Sequence, residues 1–278
     1  MVQLGKICED PGMDVPALVA NVVTLARQAG DKILEIYEQE DLGVVNKADH
    51  SPLTLADLAA HQIIVEGLTN LTPAWPILSE ESKTIPYHER QSWQHFWLVD
   101  PLDGTKEFIQ RNGEFTVNIA LINDGIPMLG VVYAPVLGIA YGAAQDWGAF
   151  RYRGEQEPER IQVRTYQPGS RLQVVASRSH AGPETEEFLQ RLESRGLEVE
   201  VVSRGSSLKF CLVAEGQADL YPRFGPTMVW DTAAAQCVVE QAGGSVTTLA
   251  GERLTYDREA LLNPYFVAAG SFPWQDYR

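Results

Sequence analysis

Two aspartates, Asp100 and Asp103, follow a run of apolar residues in the sequence WLVDPLDGTKEF at positions 97–108. Mg²⁺ and similar hard cations bind oxygen ligands, and two such ions at close range share at least one carboxylate. Asp100 suits the shared position and Asp103 suits the second ion. Pro101 lacks an N–H and fixes its own φ, which favours a Leu102 carbonyl turned inward as a further ligand. The segment therefore predicts a divalent-cation site.

The next two residues could serve the substrate of such a site. Gly104 and Thr105 offer backbone N–H groups at a predicted helix start, where phosphate oxygens bind. An Asp-Gly pair also occurs in ordinary turns, so a plain turn stays open for this segment taken alone. An EF-hand calcium loop is excluded, because counting from Asp100 puts two of its ligand positions on Leu102 and Gly104.

Two further acidic positions stand at predicted element ends. Glu80 and Glu81 follow the strand-like PILS, and Asp231 lies in MVWDTAAAQ, where a helix is predicted. Side chains at strand ends and helix starts are held on a rigid frame, so residues distant in sequence can converge there. Taken alone, the glutamates also fit a solvated charge pair, and Asp231 fits a helix start favoured by the dipole. We expect Glu80 and Asp231 to join Asp100 and Asp103.

The net charge of −15 over 278 residues restricts the partners. Binding to a nucleic-acid polymer relies on lysine and arginine, so we expect none. A small anionic substrate fits the sequence if bound metal ions supply positive charge. The three cysteines lack the spacing of a disulfide framework or a zinc site. Cys211 and Cys237 have apolar neighbours, which is typical of core thiols.

Composition also bears on location. No apolar run approaches the roughly 18 residues that a membrane-spanning helix needs. The first residues are mixed and acidic, unlike the basic and then apolar pattern of a secretory signal. We therefore expect a cytoplasmic protein, with peripheral attachment to the inner face of a membrane as the alternative. A charge of −15 gives that attachment no help from anionic lipid. A monomer and a homodimer both fit the sequence.

The first half of the chain predicts two helices and an antiparallel sheet. Apolar residues recur at three- and four-residue steps over 15–40, and a second helical pattern covers 54–68 with Asp57 in its first turn. Short apolar stretches between turn signals predict a meander packed on these helices. The predicted strands are 76–78, 96–99, 116–122, 128–133, 139–143 and 161–163.

The second half predicts alternating strands and helices. The segment 153–171 is charged and interrupted by proline and glycine, which favours a boundary there. We expect a tail over 1–13, an α+β half over 14–165 with the metal site, and an α/β half over 166–278 with the substrate-binding residues. The later elements are strands 172–176 and 197–202 and helices 184–195, 206–215 and 228–241.

Three segments together resemble one enzyme family. ILSEES, WLVDPLDGT and VWDTAAAQCVVEQAGG, in this order and spacing, resemble the metal-dependent, lithium-sensitive phosphatases of the inositol monophosphatase superfamily. The resemblance covers about residues 15–270. KADHSPLTLAD, SRSH and GSSLKFCLVAEGQADLYPRFGP are most similar to its bacterial 3'(2'),5'-bisphosphate nucleotidases.

The resemblance implies an α+β fold in five layers, an α/β/α/β/α sandwich. It also implies two or three Mg²⁺ ions, inhibition by Li⁺ and catalysis without a covalent intermediate, in agreement with the lack of a convincing nucleophile. Asp49 and Thr105 would orient and deprotonate the attacking water. The metal ligands would be Glu80, Asp100, the Leu102 carbonyl, Asp103 and Asp231.

The nucleotidase branch removes the 3'-phosphate of 3'-phosphoadenosine 5'-phosphate, giving AMP and phosphate in sulfur assimilation. Its contacts to the second phosphate and the adenosine match His180, Ser206, Lys209 and Arg223. Inositol phosphatases carry a carboxylate near the position of Arg223, so an arginine favours a substrate with two phosphates. The substrate would also contact Glu80, Leu102, Asp103, Gly104, Thr105 and Asp231.

Simpler roles stay open for the four nucleotide contacts. His180 and Ser206 also fit helix caps. Lys209 fits a helix residue with its ammonium in solvent, and Arg223 fits a structural ion pair.

Three functions are compatible with the sequence. The first is a Mg²⁺-dependent 3'-nucleotidase, and the second uses the same site on inositol monophosphate or fructose 1,6-bisphosphate. The third is a non-catalytic nucleotide or metal sensor. Asp49 and Thr105 argue against the sensor, because it has no need of water-activating residues.

Overall fold

The computed structural model describes residues 14–47, 52–177 and 182–278. Helix α1, Val15–Tyr37, begins at Asp14, whose carboxylate accepts the Ala17 N–H at 3.2 Å. The predicted helix over 15–40 is thus confirmed, although it ends three residues earlier. A two-residue antiparallel ladder, β1 (Val45–Asn46) with β2 (Pro52–Leu53), then leads to helix α2, Leu55–Leu71.

A seven-stranded sheet follows in the order β3-β4-β5-β6-β7-β8-β9. Its strands pair antiparallel except β3 with β4, as the predicted meander requires. One strand, β8, was not predicted, because its residues follow a Trp-Gly turn signal and alternate poorly. The strands are β3 Ile77–Ser79, β4 His95–Asp103, β5 Thr116–Asn123, β6 Ile126–Ala134, β7 Ile139–Ala144, β8 Gly148–Arg153 and β9 Glu159–Ile161.

Strand β4 contains an irregularity that places the two aspartates. Asp100 pairs with Asn118 and Asp103 pairs with Thr116, so β4 has one more residue than β5 between the two pairs. In a regular strand, residues three apart point to opposite faces, because side chains alternate. The extra residue cancels that alternation, as in a β-bulge. Asp100 and Asp103 can therefore serve the same site.

The second sheet has five strands in the order β11-β10-β12-β14-β13, with β10 parallel to both neighbours and the remaining pairs antiparallel. The sequence did not predict β12, partly because Pro222 argues against a strand. Proline is tolerated because β12 pairs with β10 only at Leu220. The strands β13 and β14 were also missed. The bounds are β10 Leu172–Ser177, β11 Val199–Arg204, β12 Leu220–Arg223, β13 Ser245–Thr248 and β14 Phe266–Ala269.

Three further helices complete the layers, with two short ones in loops. Helix α7 lies against β6, where Gly130 is required because a Cβ there would collide with the Ala234 carbonyl. The helices are α3 Tyr87–Arg90, α4 Thr105–Ile109, α5 Pro183–Ser194, α6 Leu208–Ala214 and α7 Val229–Gln241.

Three buried clusters define the order of the layers. Helices α1 and α2 cover one face of the first sheet. Helices α6 and α7 share a cluster with both sheets and so lie between them. Helix α5 covers the outer face of the second sheet. The arrangement is an α/β/α/β/α sandwich, which confirms the predicted fold class.

The chain passes from the first sheet to the second between Ile161 and Leu172. Because α7 packs on the first sheet, the two sheets share a core, and the division of the chain at residue 165 stays a prediction. Among the described helices none is both long and apolar enough to cross a bilayer. Cys211 and Cys237 are buried free thiols.

Candidate metal and substrate site

The acidic part of the site lies at the carboxyl end of β4 and at the start of α7. Asp100 is 1% exposed, and one of its oxygens accepts the Leu102 N–H at 3.1 Å. Asp231 lies in the first turn of α7, where its Oδ2 accepts the Met228 N–H at 2.8 Å. Ligand atoms of Asp100, Asp103 and Asp231 all lie within 4.8 Å of one another. The structure therefore brings these three predicted ligands together.

Glu80 extends this acidic cluster. It follows β3, and its N–H donates to the Val99 carbonyl at 3.1 Å, which fixes it beside β4. A hydrogen bond joins the carboxyls of Glu80 and Asp100. All five residues predicted to supply metal ligands, the four acidic residues and Leu102, therefore line one cavity.

The carboxylates destabilise one another's charged forms. Burial raises the pKa of Asp100 well above its usual value, and the charges of Glu80, Asp103 and Asp231 raise it further. Burial likewise raises the pKa of Asp231, with Asp103 as the next cause. Buried like charges at this separation require a cation to be ionised together. An all-oxygen donor set of this kind fits Mg²⁺ or a similar hard divalent ion.

A lysine that the sequence did not single out pairs with Glu80. Lys47 Nζ lies 2.7 Å from Glu80 Oε1 and 2.5 Å from Glu81 Oε1. Burial alone would lower the pKa of Lys47, but the charges and hydrogen bonds of the two glutamates raise it overall. Burial raises the pKa of Glu80, and Lys47 opposes that rise. The Glu80-Glu81 pair is therefore not a simple solvated charge pair.

Thr105 lies beside a carboxylate other than the predicted one. Its Oγ1 is 3.3 Å from Asp57 Oδ1 and 3.4 Å from the Leu102 carbonyl oxygen. Asp57 is 1% exposed, and burial raises its pKa, while hydrogen bonds from Thr54 oppose the rise. The predicted partner, Asp49, lies outside the described residues.

The missed residue carried a sequence signal. Thr54 and Asp57 form a capping box at the start of α2. Asp57 Oδ2 accepts hydrogen bonds from the Thr54 N–H at 2.8 Å and from the Thr54 hydroxyl at 2.5 Å. The pattern Thr-x-x-Asp was interpreted only as a helix start. The capping box uses Oδ2 of Asp57, which leaves Oδ1 to accept from the Thr105 hydroxyl.

Gly104 and Ser206 bring the first and second halves of the chain close together. Gly104 has a φ of +93°, and a Cβ there would lie 3.2 Å from the Ser206 Cβ. Ser206 Oγ lies 2.8 Å from Thr116 Oγ1. The next residue, Ser207, donates its N–H to Asp103 Oδ2 at 2.7 Å. Ser206 is not a helix cap, since α6 begins at Leu208 with Ser207 at the N-cap position.

Lys209 provides buried positive charge opposite the carboxylates. Its Nζ donates to the Ser206 carbonyl at 2.6 Å and to the Arg204 carbonyl at 3.4 Å. Burial lowers the pKa of Lys209 to about 8, partly offset by Asp103. The Lys209 ammonium is thus buried. The simpler role of a helix residue would place this ammonium in solvent.

Arg223 is the last residue of β12 and is 9% exposed. Its Nη2 donates to the Pro226 carbonyl at 2.9 Å, whereas its Nε is buried and has no hydrogen-bond partner among the described residues. Among the described residues, Arg223 contacts the Pro226 carbonyl and forms no ion pair of the kind considered above. His180, the fourth predicted nucleotide contact, lies outside the described residues.

The acidic and basic groups face one cavity of about 340 Å³. We call the four carboxylates of Glu80, Asp100, Asp103 and Asp231 the acidic wall of this cavity, and Lys209 and Arg223 the basic wall. Such a cavity suits an anion that approaches cations at one end and needs basic side chains at the other. Its lining includes Glu80, Asp100, Leu102, Asp103, Gly104, Thr105, Ser206, Ser207, Lys209, Arg223 and Asp231.

Comparison with known proteins gives the same family throughout. The chain is 54% identical over 251 residues to the 3'(2'),5'-bisphosphate nucleotidase CysQ of Escherichia coli K12, covering 90% of this chain and 98% of that protein. It is 41% identical over 256 residues to the CysQ of Buchnera aphidicola, covering 91% and 93% of the two chains.

Solved structures agree with the sequence relatives. CysQ from Bacteroides thetaiotaomicron superposes with a TM-score of 0.82 at 44% identity, covering 93% of this chain and 99% of that one. Inositol monophosphatase from Anabaena superposes with a TM-score of 0.74 at 25% identity, covering 95% of both chains. The model of the inositol monophosphatase family matches residues 16–273. The chain belongs to the inositol monophosphatase family.

Proposed function

We propose that this protein is a Mg²⁺-dependent 3'(2'),5'-bisphosphate nucleotidase that converts 3'-phosphoadenosine 5'-phosphate to AMP and phosphate in sulfur assimilation. The similarity to relatives named CysQ supports the reaction. The observation that carries the proposal is the pairing, in one cavity, of a carboxylate cluster with the buried and incompletely bonded Arg223. A substrate with two phosphates satisfies both walls, whereas a single phosphate satisfies one.

The residues that would hold Mg²⁺ are Glu80, Asp100, Asp103 and Asp231 with the Leu102 carbonyl. When bound, Mg²⁺ supplies positive charge for the phosphate and lowers the pKa of water. Asp103 has a further role, because its Oδ2 accepts the Ser207 N–H and so ties the acidic wall to the loop before α6. The same residue therefore links the metal ligands to the substrate-binding segment.

Asp57 and Thr105 would hold and move the proton of the attacking water. A general base must lie within hydrogen-bond reach of the group that it deprotonates. With its hydroxyl proton directed to Asp57, Thr105 presents an oxygen lone pair that can orient a water molecule. Asp57 would take the proton, because its Oδ1 lies 3.3 Å from Thr105 Oγ1, and the role expected for Asp49 stays a prediction.

Lys209, Arg223 and Ser206 would bind the phosphate that is not hydrolysed. An ammonium has three donors, and two of those of Lys209 already bind carbonyls, so the third is free for the substrate. Arg223 makes one hydrogen bond among the described residues, from Nη2 to the Pro226 carbonyl, so further N–H groups of its guanidinium fork would be left to bind phosphate. These donors favour a bisphosphate over inositol monophosphate.

The test is phosphate release from 3'-phosphoadenosine 5'-phosphate, inositol 1-phosphate and fructose 1,6-bisphosphate, with Mg²⁺ titrated and Li⁺ added. We expect the nucleotide to have the highest kcat/KM, no turnover in chelator, and inhibition by submillimolar Li⁺. A higher kcat/KM for inositol 1-phosphate than for 3'-phosphoadenosine 5'-phosphate would refute the proposed substrate. No phosphate release from any of the three, despite nucleotide binding, would favour the sensor.

A further inference from the structure

Two aromatic side chains lie at the end of the second sheet that carries Arg223. Phe224 directly follows Arg223, and Tyr265 directly precedes Phe266, which is paired with Arg223 in the ladder between β12 and β14. The rings of Phe224 and Tyr265 have centroids 6.1 Å apart and an interplanar angle of 44°. Tyr265 is 42% exposed. We call these two side chains the rim aromatic pair.

The pair lies on the outer face of the sheet, opposite the cavity wall. Tyr221 and Phe266 belong to the inner cluster with α6, whereas the alternate residues Leu220 and Val267 belong to the outer cluster with α5. Phe224 is on the outer side, because its ring meets Phe188 of α5 edge-on at 5.5 Å. The pair and the guanidinium of Arg223 therefore flank one end of one sheet.

The connections of the sheet diverge beside Arg223. The chain leaves β10 towards α5 on the outer face, and it leaves the adjacent parallel strand β12 towards α7 on the inner face. In open α/β sheets, ligands bind outside the carboxyl ends of such strands. A ligand with its phosphate on the inner side can thus extend across the strand ends to the outer side.

We propose that the rim aromatic pair binds the nucleobase of the substrate by stacking. Every nucleobase has a π-face, and aromatic side chains on a binding surface stack on it without hydrogen bonds to specific atoms. The phosphate donor Arg223 directly precedes Phe224, and its ladder partner Phe266 directly follows Tyr265, so one nucleotide would reach both the donor and the pair. An inositol ring has no such face. The proposal extends the function proposed above and relies on it for the position of the phosphate.

The experiment compares AMP with ribose 5-phosphate, which lacks the base. Isothermal titration calorimetry on the full chain with Mg²⁺ measures both affinities for the wild type, Tyr265→Ala and Tyr265→Phe. We expect Tyr265→Ala to weaken AMP binding by at least about fivefold, the lower end for one base stacked on an aromatic ring, and to leave ribose 5-phosphate within about twofold. Tyr265→Phe keeps the ring and should bind AMP as the wild type does.

A matched control uses the second aromatic pair on the outer face. Tyr277 stacks on Phe272 with centroids 5.2 Å apart, but Phe272 follows the carboxyl end of β14, away from Arg223. We expect Tyr277→Ala to leave AMP binding unchanged. If Tyr265→Ala does not fold, Tyr265→Leu replaces it in the experiment, because leucine keeps the apolar bulk and removes the aromatic ring.

Two results would overturn the proposal. One is AMP affinity that is unchanged in both Tyr265→Ala and Tyr265→Leu. The other is an equal loss for AMP and ribose 5-phosphate, which would indicate a structural role. The reaction is judged separately: selective loss of AMP binding in a protein that releases no phosphate from the bisphosphate would support the base site and reject the nucleotidase. Normal phosphate release from the bisphosphate, together with AMP affinity that is unchanged in the Tyr265 variants, would support the nucleotidase and reject the base site.

Discussion

The acidic and basic walls of the cavity hold their charges in different ways. On the acidic wall, carboxylates from β4 and α7 lie within a few ångströms of one another, and burial and the neighbouring charges raise the pKa values of Asp100 and Asp231. On the basic wall, Lys209 donates to two carbonyl oxygens, and the guanidinium of Arg223 makes one hydrogen bond among the described residues. The acidic wall is therefore incomplete without cations, whereas the basic wall is incomplete without an anion. We infer that the first performs the hydrolysis and the second selects the substrate.

The largest effect should follow from a change on the acidic wall. Asp103→Asn removes a charge that a bound cation requires, and also weakens the link to Ser207. We expect kcat to fall by at least about 10²–10³-fold, the scale for loss of one preorganised electrostatic contact. Phosphate release measures the loss, and circular dichroism checks the fold. Asp146→Asn is the control, because that aspartate is an exposed loop residue with a φ of +62°, which asparagine also tolerates. Near wild-type turnover in Asp103→Asn would refute the metal site.

The proton-holding pair should give the next effect. Asp57→Asn or Thr105→Val should each lower kcat by about 10²-fold, the lower end of the usual contribution of general acid–base catalysis. Because the two residues act as a unit, the double variant should lose no more than the worse single one. Losses that multiply in the double variant would show that Asp57 and Thr105 act separately. Asp49→Asn tests whether Asp49 is the proton acceptor instead of Asp57. We expect this variant to retain most of the wild-type kcat.

A smaller, pH-dependent effect should come from the basic wall. The pKa of Lys209 is lowered to about 8, so its ammonium is present below that pH and lost as pH rises through it. We expect kcat/KM for the bisphosphate nucleotide to fall above about pH 8, by up to roughly tenfold for one hydrogen bond to a charged group. Lys209→Met should be less active at pH 7 and show no such fall. An identical pH profile in both proteins would exclude Lys209 as the titrating group.

The smallest effect concerns stability in the presence of a chelator. The pKa of Asp231 is raised in the folded protein, so its carboxyl stabilises the fold while protonated, and that contribution is lost as pH rises through the raised value. Asp231→Asn should therefore raise Tm at pH 8 by about 2–4 °C for each kcal/mol of relieved repulsion. The gain should shrink towards pH 5. In excess Mg²⁺ the wild type should have the higher Tm, because it binds the ion more tightly than Asp231→Asn does.

The sequence predicted the fold class and the carboxylates that the structure brings together, but not every strand around them. The carboxylates could be found because each follows an apolar strand or begins a helix, and such positions have clear local signals. Strand β12 was missed although it carries Arg223, because Pro222 is unfavourable in a strand and only tertiary pairing with β14 makes it one.

Pairings between distant segments could not be predicted. The contact of Asp57 with Thr105 joins residues 48 positions apart, and the pairing of Lys47 with Glu80 joins residues 33 positions apart. No local pattern encodes either distance, since each depends on how α2 and the loop before it pack against β3 and β4. The capping box gave the position of Asp57 but not its second contact.

The central claim is that one wall hydrolyses while the other selects for two phosphates. The most direct test is the ratio of kcat/KM for 3'-phosphoadenosine 5'-phosphate to that for adenosine 3'-phosphate, which differ only in the 5'-phosphate. We expect this ratio to fall by about 10–100-fold in Arg223→Met, with activity on adenosine 3'-phosphate nearly retained. An unchanged ratio, or an equal loss on both substrates, would contradict the account.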